Sequence, residues 1–570
     1  MQYKLIGTKN DYLINPMQVI LNNRGIENIE EFLNVNENHI NHYSLLNNID
    51  KAVQCLLTHL KNNNIIYLQV DSDVDGYSSA SLLYNYIKRI YTESNLMFRV
   101  HIGKEHGVVP EEVPNDVSLV IIADAGSNQY NELKQLKDRG IECLVLDHHE
   151  CDTESKNAII VNNQMCEYPN KNFSGVGICY KFCQAIDEEL GYYGLADEYL
   201  DLVALGNIAD VIDMRSLETR YYTLKGLQNI KNPFLKALFE KQNFSTKGII
   251  NIINTAFYIA PLINACVRFG SNEDKENMFK AFIGSNETIP YKKRGATEEI
   301  QEPISQAMAR ICTNIKARQN TARDKSLVVI EDRISEKNLL SNKILIVDVT
   351  EILEHTLTGL VASQLANKYK RPILLLRYNE KDGTYGGSAR GYEKGVIKDF
   401  KQLITDTNKF IYASGHSGAF GFSVTSENIV AVNESLNNEL QDIVFEDIFD
   451  VDFIVPVNSL NKDFVLSIDK YSDLWSHGIE EPLIAFTGIN ISTNDIAIMG
   501  EKQNTIKIKY KDIDFIKFFC TEEEVISVKE GNTIELDIVG KCKSNSYNGS
   551  TTAQVVISDF NIKKSRKFVF

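Results

Sequence analysis

The sequence predicts an α/β protein with a parallel sheet at its centre, and two observations carry that prediction. From about residue 51 to 230, apolar runs of strand length alternate with helical stretches, as a parallel sheet with crossover helices requires. Three of those runs stop at an acid: residues 65–70 before Asp71-Ser72-Asp73-Val74-Asp75-Gly76, residues 119–123 before Asp124, and residues 143–146 before Asp147-His148-His149. In an open α/β sheet a ligand sits outside the carboxyl ends of the strands, so the three tips should face one crevice.

The other elements follow in order. Residues 1–50, rich in Asn and Glu with short apolar clusters, read as a helical lead-in without evident chemistry. Within residues 51–230, the apolar stretch 202–209 reads as a helix with Asp210 projecting from its last turn. Residues 231–325 form a mostly helical connector with a long amphipathic stretch at 304–322. A second α/β pattern occupies 326–449, with strands expected at 327–330, 344–347 and 372–376 and a helix at 360–369. Beyond 450 the residues alternate, as in 505–510 and 553–557, which suggests a small β-barrel of the OB type.

Three carboxylates at alternate positions repel one another unless a cation holds them, and hard oxygen donors suit Mg²⁺ or Mn²⁺. A solvated acidic turn explains one such motif but not its recurrence at three strand tips. Asp71, Asp73, Asp75, Asp124, His148 and Asp210 are therefore the expected metal ligands, with His149 beside them. Carboxylates and imidazole in one pocket suit two ions about 3.5–4 Å apart, which clamp the attacking and leaving oxygens of a displacement at phosphorus. Asp75, Asp124, His148 and His149 form the expected catalytic group. An acid such as Asp147 should orient the ligating imidazole. His101 and His106 read as structural.

Asp71 to Gly76, Asp124, Asp147-His148-His149 and Asp210 resemble, in order and spacing, the four motifs of the DHH phosphoesterases. Ser174-Gly175-Val176-Gly177, the run 202–210 and the run 259–268 are similar to the RecJ-like branch, single-strand-specific DNA exonucleases. Gly387-Ser388-Ala389-Arg390 and the run 414–421 resemble the DHH-associated (DHHA1) substrate-binding domain. The resemblance implies a DHH lobe and a DHHA1 lobe joined by helices, followed by an OB-like barrel. It implies two Mn²⁺ or Mg²⁺ ions, single-stranded DNA as partner, and 5′ to 3′ cleavage releasing 5′-mononucleotides. Arg268, Ser388, Arg390, Gly415 and His416 are the implied substrate contacts, with Arg390 and His416 facing the metals. The chain departs from the RecJ-like pattern at Leu262, Val267, Ser414 and Phe420, where arginine, glycine, glycine and alanine are usual. The alternatives are a phosphodiesterase of short oligonucleotides or cyclic dinucleotides, whose relatives generally stop after the DHHA1 domain, and a non-catalytic replication scaffold, which the filled ligand positions disfavour.

Length and composition fit this reading: 570 residues, 43% hydrophobic and 24% charged, suffice for three or four soluble domains. The net charge of -16 opposes phosphate binding only as a sum. Locally basic stretches occur at 292–294, along Arg310, Lys316, Arg318 and Arg323, and at 563–567. The 10 cysteines show no paired zinc spacing and read as reduced core residues, Cys179 and Cys183 on one helix face. No uninterrupted apolar run reaches membrane-spanning length and the first residues lack a signal-peptide pattern, so a cytoplasmic protein without a membrane partner is expected. Replication or repair proteins are conceivable partners.

Overall fold

A computed structural model describes residues 1–103, 105–293, 295, 297–392, 394–445, 447–547 and 550–566. Arg294 and Lys567, members of two of the basic stretches, lie outside the described residues, as do the side chains of residues 564–566. The chain divides into two units: Asn28–Gln319 with Asp473–Glu480, and Met1–Glu27 with Asn320–Ser472 and Glu481–Phe570.

The first unit is built on a five-stranded parallel sheet in the order Leu96–Val100, Ile66–Val70, Leu119–Ala123, Glu142–Asp147, Ile159–Asn162. Ile66–Val70 and Leu119–Ala123 are buried at every position, because helices cover both faces of a parallel sheet. From Ile66–Val70 the chain crosses to one neighbour, then returns to Leu119–Ala123 on the other side. The connections thus diverge between these two strands, and a crevice opens at their carboxyl ends. Asp71 and Asp124 stand one residue past those ends.

The helix Val74–Ile90 starts inside the acidic motif, because Asp73 caps it by accepting from the Gly76 N–H at 2.8 Å. The helical run Ile252–Phe269 has the length and mean hydropathy of a membrane span without being an uninterrupted apolar run. Half of it is buried inside the protein, and it carries Asn254, Asn264 and Arg268.

The second unit holds two larger sheets. The first has the order Phe410–His416, Ala419–Thr425, Thr384–Arg390, Ile373–Asn379, Leu345–Asp348, with only the last pair parallel. The strand expected at 327–330 is instead part of the helix Ile304–Glu336. Leu327, Ile330 and Ile334 are buried at helical spacing while Val328 and Val329 are exposed, so tertiary packing overrides the β-branched preference. The second sheet has seven strands, from Phe453–Pro456 to Ile496–Met499, organised around the long bulged pair Thr533–Tyr547 and Ser550–Arg566. Bulges increase local twist and let so long a pair coil.

The expected lead-in over 1–50 is divided between the units. Gln2–Leu5 is a strand, paired in parallel with Ile448–Val451. Arg24 and Asp452 reinforce the join: Arg24 Nη2 donates to Asp452 Oδ2 at 2.9 Å, Arg24 Nη1 donates to Oδ1, and Asn23 Nδ2 donates to Oδ1 at 3.0 Å. Asp452 is fully buried. Arg24→Met should therefore lower stability by about 3–5 kcal/mol in urea unfolding, since it strands a buried carboxylate, whereas adding Asp452→Leu should recover much of the loss.

Candidate metal centre

The carboxylates reach the crevice by different routes. Asp71 continues its strand and is gripped by the Gly107 N–H at 2.8 Å and His106 Nδ1 at 2.8 Å. Asp75 lies in the first turn of its helix and accepts from the Gly175 and Val176 N–H groups at 2.7 and 3.1 Å. These are unpaired donors at the start of the helix Gly175–Leu190, which favour an anion there. Asp124 has φ of 66°, a left-handed conformation that Asp tolerates and that turns the chain at the strand tip. Asp210 caps the end of the helix Leu200–Ala209.

Close approach explains two glycines. A Cβ at Gly175 would lie 2.3 Å from Asp124 Oδ1, and one at Gly206 would lie 2.2 Å from Asp75 Oδ1. Asn207, unassigned from sequence, holds the Gly175 turn by accepting from Ser174 Oγ at 2.7 Å.

His148 Nε2 stands 3.2 Å from Asp124 Oδ1, 3.5 Å from Asp210 Oδ2 and 3.9 Å from Asp75 Oδ2. Despite that proximity, His148 Nε2 and Asp124 Oδ1 are buried and make no hydrogen bond. Among the described residues of the crevice, three groupings have ligand atoms close enough to share an ion: Asp71, Asp73 and Asp124; Asp75, His148 and Asp210; and Asp124, His148 and His149. Orphaned donor atoms facing one another in these groupings fit hard divalent cations such as Mn²⁺ or Mg²⁺.

The protonation pattern agrees. Burial, then Asp210 and Asp73, pushes Asp75 well above the usual carboxylate range, and burial, then Asp75, does the same to Asp124. Burial, then Asp73, raises Asp210 to about 6. Burial raises Asp73 too, with Asp71 adding to the effect. Burial, then the neighbouring His149, lowers His148 to about 4, so its imidazole is neutral and free to ligate. His149 is raised to about 9 by its hydrogen bond to Asp147.

Asp147 does not orient His148 as expected. Its Oδ1 accepts from His149 Nδ1 at 2.8 Å, and His148 instead bonds the Phe173 backbone. The Asp147 carboxylate points toward the ring two residues on, and its Oδ2 accepts from the Ser127 N–H at 3.0 Å. His101 is buried beside Gln69 with its Nε2 3.8 Å from Asp71 Oδ1, and His106 is a direct hydrogen-bond partner of Asp71. Only its place in the loop after a strand tip hinted at this.

In the second unit, Arg390 and His416 line one cavity of about 390 Å³ together with Asn367, Lys398 and Ser417. Arg390 Nε donates to Ser363 Oγ at 3.1 Å. His416 is exposed at the end of its strand, next to Gly415, and Ser388 lies two strands away in the same sheet, two residues before Arg390. Arg268, in the first unit, is exposed in the last turn of the helix Ala260–Phe269. Among the described residues it pairs with no carboxylate. Leu262, Val267 and Phe420 are buried, and Phe420 packs against Phe400 at 5.5 Å between ring centroids, so these departures fill cores; Ser414 is exposed.

The raised carboxyl groups give a signed expectation. An acid whose folded pKa exceeds its unfolded value of about 3.9 stabilises the ion-free protein at low pH and loses that contribution as pH rises through the folded value, about 6 for Asp210. Cations compete with those protons. The rise in Tm produced by Mn²⁺ should therefore be larger near pH 8 than near pH 5, and Asp75→Asn should shrink it at the higher pH, as read by differential scanning fluorimetry.

The family models "DHH family, N-terminal domain" and "RecJ OB domain" match residues 64–207 and 451–559. The chain is 48% identical over 573 aligned residues to the SPbeta prophage-derived YorK protein of Bacillus subtilis strain 168, provisionally named a single-strand DNA-specific exonuclease; the alignment covers 100% of this chain and 99% of that one. It is 24% identical to the single-stranded-DNA-specific exonuclease RecJ of the same organism, over 88% of this chain and 62% of RecJ. The fold matches RecJ of Thermus thermophilus solved with Mn²⁺ (TM-score 0.71, 19% identity, 97% of this chain and 76% of that one) and with Mg²⁺ (TM-score 0.67). On the full-length likeness to YorK, the chain belongs to the RecJ-like family of single-strand-DNA-specific exonucleases.

Proposed function

We propose that the protein hydrolyses single-stranded DNA from its 5′ end, releasing 5′-mononucleotides with the help of two Mn²⁺ or Mg²⁺ ions. The observation that carries this reading is the convergence of Asp71, Asp73, Asp75, Asp124, His148 and Asp210 at the carboxyl ends of three strands, with Asp124 Oδ1 and His148 Nε2 left without hydrogen bonds. The relatives' names supply the substrate class.

When bound, the cations activate water and neutralise charge developing at the scissile phosphate. Asp71, Asp73 and Asp124 would hold one, and Asp75, His148 and Asp210 the other. The chain's own part is to keep His148 neutral and to fix Asp75 with backbone N–H groups. His149, protonated near neutral pH and half exposed, can donate from Nε2 to a non-bridging phosphate oxygen. No protein nucleophile is needed. The cavity lined by Arg390 and His416 suits a strand phosphate, because a guanidinium's fork matches phosphate oxygens.

The OB match at 451–559 favours long strands over dinucleotides. Phe518 and Phe519 are 47% and 88% exposed there and offer ring faces for bases to stack on. A DNA substrate agrees with the cytoplasmic setting expected from the sequence.

Asp75→Ala and His148→Ala should each cut the rate on labelled single strands by about a hundredfold to ten-thousandfold while circular dichroism stays native. A wild-type rate in either would sink the metal mechanism. Arg390→Ala should slow cleavage of 5′-phosphorylated strands with little effect on Mn²⁺ binding, and circular single strands should resist the wild type; release of a 3′ label first would overturn the polarity. Phe518→Ala with Phe519→Ala should weaken binding of long strands by about 1–3 kcal/mol per lost stacked base and leave dinucleotide cleavage unchanged.

A further inference from the structure

A second cluster of ligand-type side chains lies in the first unit, away from the acidic crevice. Cys55 and His59 sit four residues apart on the helix Ile49–Lys61, so both project from one face. Glu142 opens the strand Glu142–Asp147 and meets them. Cys55 Sγ is 3.6 Å from Glu142 Oε2, His59 Nε2 is 2.8 Å from the same oxygen, and the three ligand atoms all lie within 4.8 Å of one another. We propose that Cys55, His59 and Glu142 bind a thiophilic divalent cation, Zn²⁺ in the first place, which clips the helix to the amino end of a sheet strand and leaves one coordination position to water.

The spacing suits that ion. Around a tetrahedral Zn²⁺ with bonds of about 2.0–2.3 Å, ligand atoms stand roughly 3.3–3.5 Å apart, so the sulfur–oxygen distance already fits and the nitrogen–oxygen distance needs to open by about half an ångström. Glu142 is largely exposed and can make that movement. The imidazole is also prepared: the Asn64 side-chain amide lies 3.0 Å from His59 Nδ1, and with the amide oxygen turned inward it accepts the Nδ1 proton and leaves Nε2 a lone pair. His59 is only 7% exposed, so its ring is held in place before any ion arrives.

The donor set separates this site from the catalytic one. A thiolate favours Zn²⁺ over Mg²⁺, whereas the crevice cluster consists of carboxylates and imidazole. Glu142 and Asp147 occupy opposite ends of one strand, five residues or about 16 Å apart at the usual rise, so the ion would brace the sheet from the end remote from the chemistry. Binding displaces the Cys55 thiol proton to solvent. The ion competes with that proton, so affinity should climb as pH rises.

The test is a Co²⁺ titration of the full-length protein held in excess Mg²⁺. One equivalent should bring up a near-ultraviolet thiolate-to-Co²⁺ charge-transfer band together with tetrahedral visible bands, and Zn²⁺ should bleach both. Cys55→Ser should abolish the charge-transfer band, and His59→Gln should weaken Co²⁺ binding at least tenfold while Asp75→Asn leaves the band intact. Cys55→Ser should retain the Mg²⁺-dependent nuclease activity. Absence of a thiolate band in the wild type, its persistence in Cys55→Ser, or its loss in Asp75→Asn would overturn the proposal, the last two by moving the sulfur or the ion elsewhere. A wild-type Co²⁺ affinity in His59→Gln would do the same.

Discussion

The rest of the first unit is organised around one electrostatic problem: five aspartates share a crevice from which water is largely excluded. Asp71, Asp75 and Asp124 are each no more than 3% exposed. Burying a carboxylate costs several kcal/mol, while a hydrogen bond to a charged group returns about 1.5–3 kcal/mol. Asp75 has two backbone donors and Asp71 has one plus a histidine; Asp124 Oδ1 has none. Hydrogen bonding therefore offsets part of the cost, and the remainder calls for protons or cations. At neutral pH, divalent cations can resolve the repulsion among all of these acids together, which is why geometry, burial and protonation converge on one reading.

This constraint also accounts for the surrounding architecture. The crevice exists because the chain's connections diverge between Ile66–Val70 and Leu119–Ala123, a consequence of strand order and not of any one residue. The start of the helix Gly175–Leu190 must come within hydrogen-bonding range of Asp75, and the Asn207 contact to Ser174 holds it there. A mutation at Asn207 would loosen the backbone donors that fix Asp75, so positioning residues here extend well beyond the acids.

The strand-tip acids were legible because buried parallel strands are continuous apolar runs and a charge at their end interrupts the pattern. The long bulged pair of the second unit was legible only as alternation, since register and bulges depend on partners distant in sequence. The helix Ile304–Glu336 carries a strand-like signal at 327–330 because Val328 and Val329 are β-branched; their exposure, invisible in sequence, shows which face the packing chose. The strand Gln2–Leu5 was hidden for a related reason: four residues acquire strand character only through Ile448–Val451, more than 400 positions away. His106 and the cluster of Cys55, His59 and Glu142 escaped because their partners lie on other elements. The four-residue spacing of Cys55 and His59 was visible, but only the start of a strand distant in sequence supplies the third group.

The adjacent histidines show how finely local contacts divide labour. His148 and His149 share a loop and begin from the same chemistry, yet one is held near 4 and the other near 9. The difference follows from Asp147, whose Oδ1 also accepts the backbone N–H groups of both histidines. Those two bonds bend the loop so that His149 folds back onto the carboxylate and gains a proton, while His148 is directed inward among Asp75, Asp124 and Asp210, where burial removes one. A neutral imidazole and a cationic one are thereby produced side by side from one dipeptide. Asp147 contributes to the centre by charging His149 and by holding the backbone of both histidines, while burial and the charged His149 keep His148 neutral.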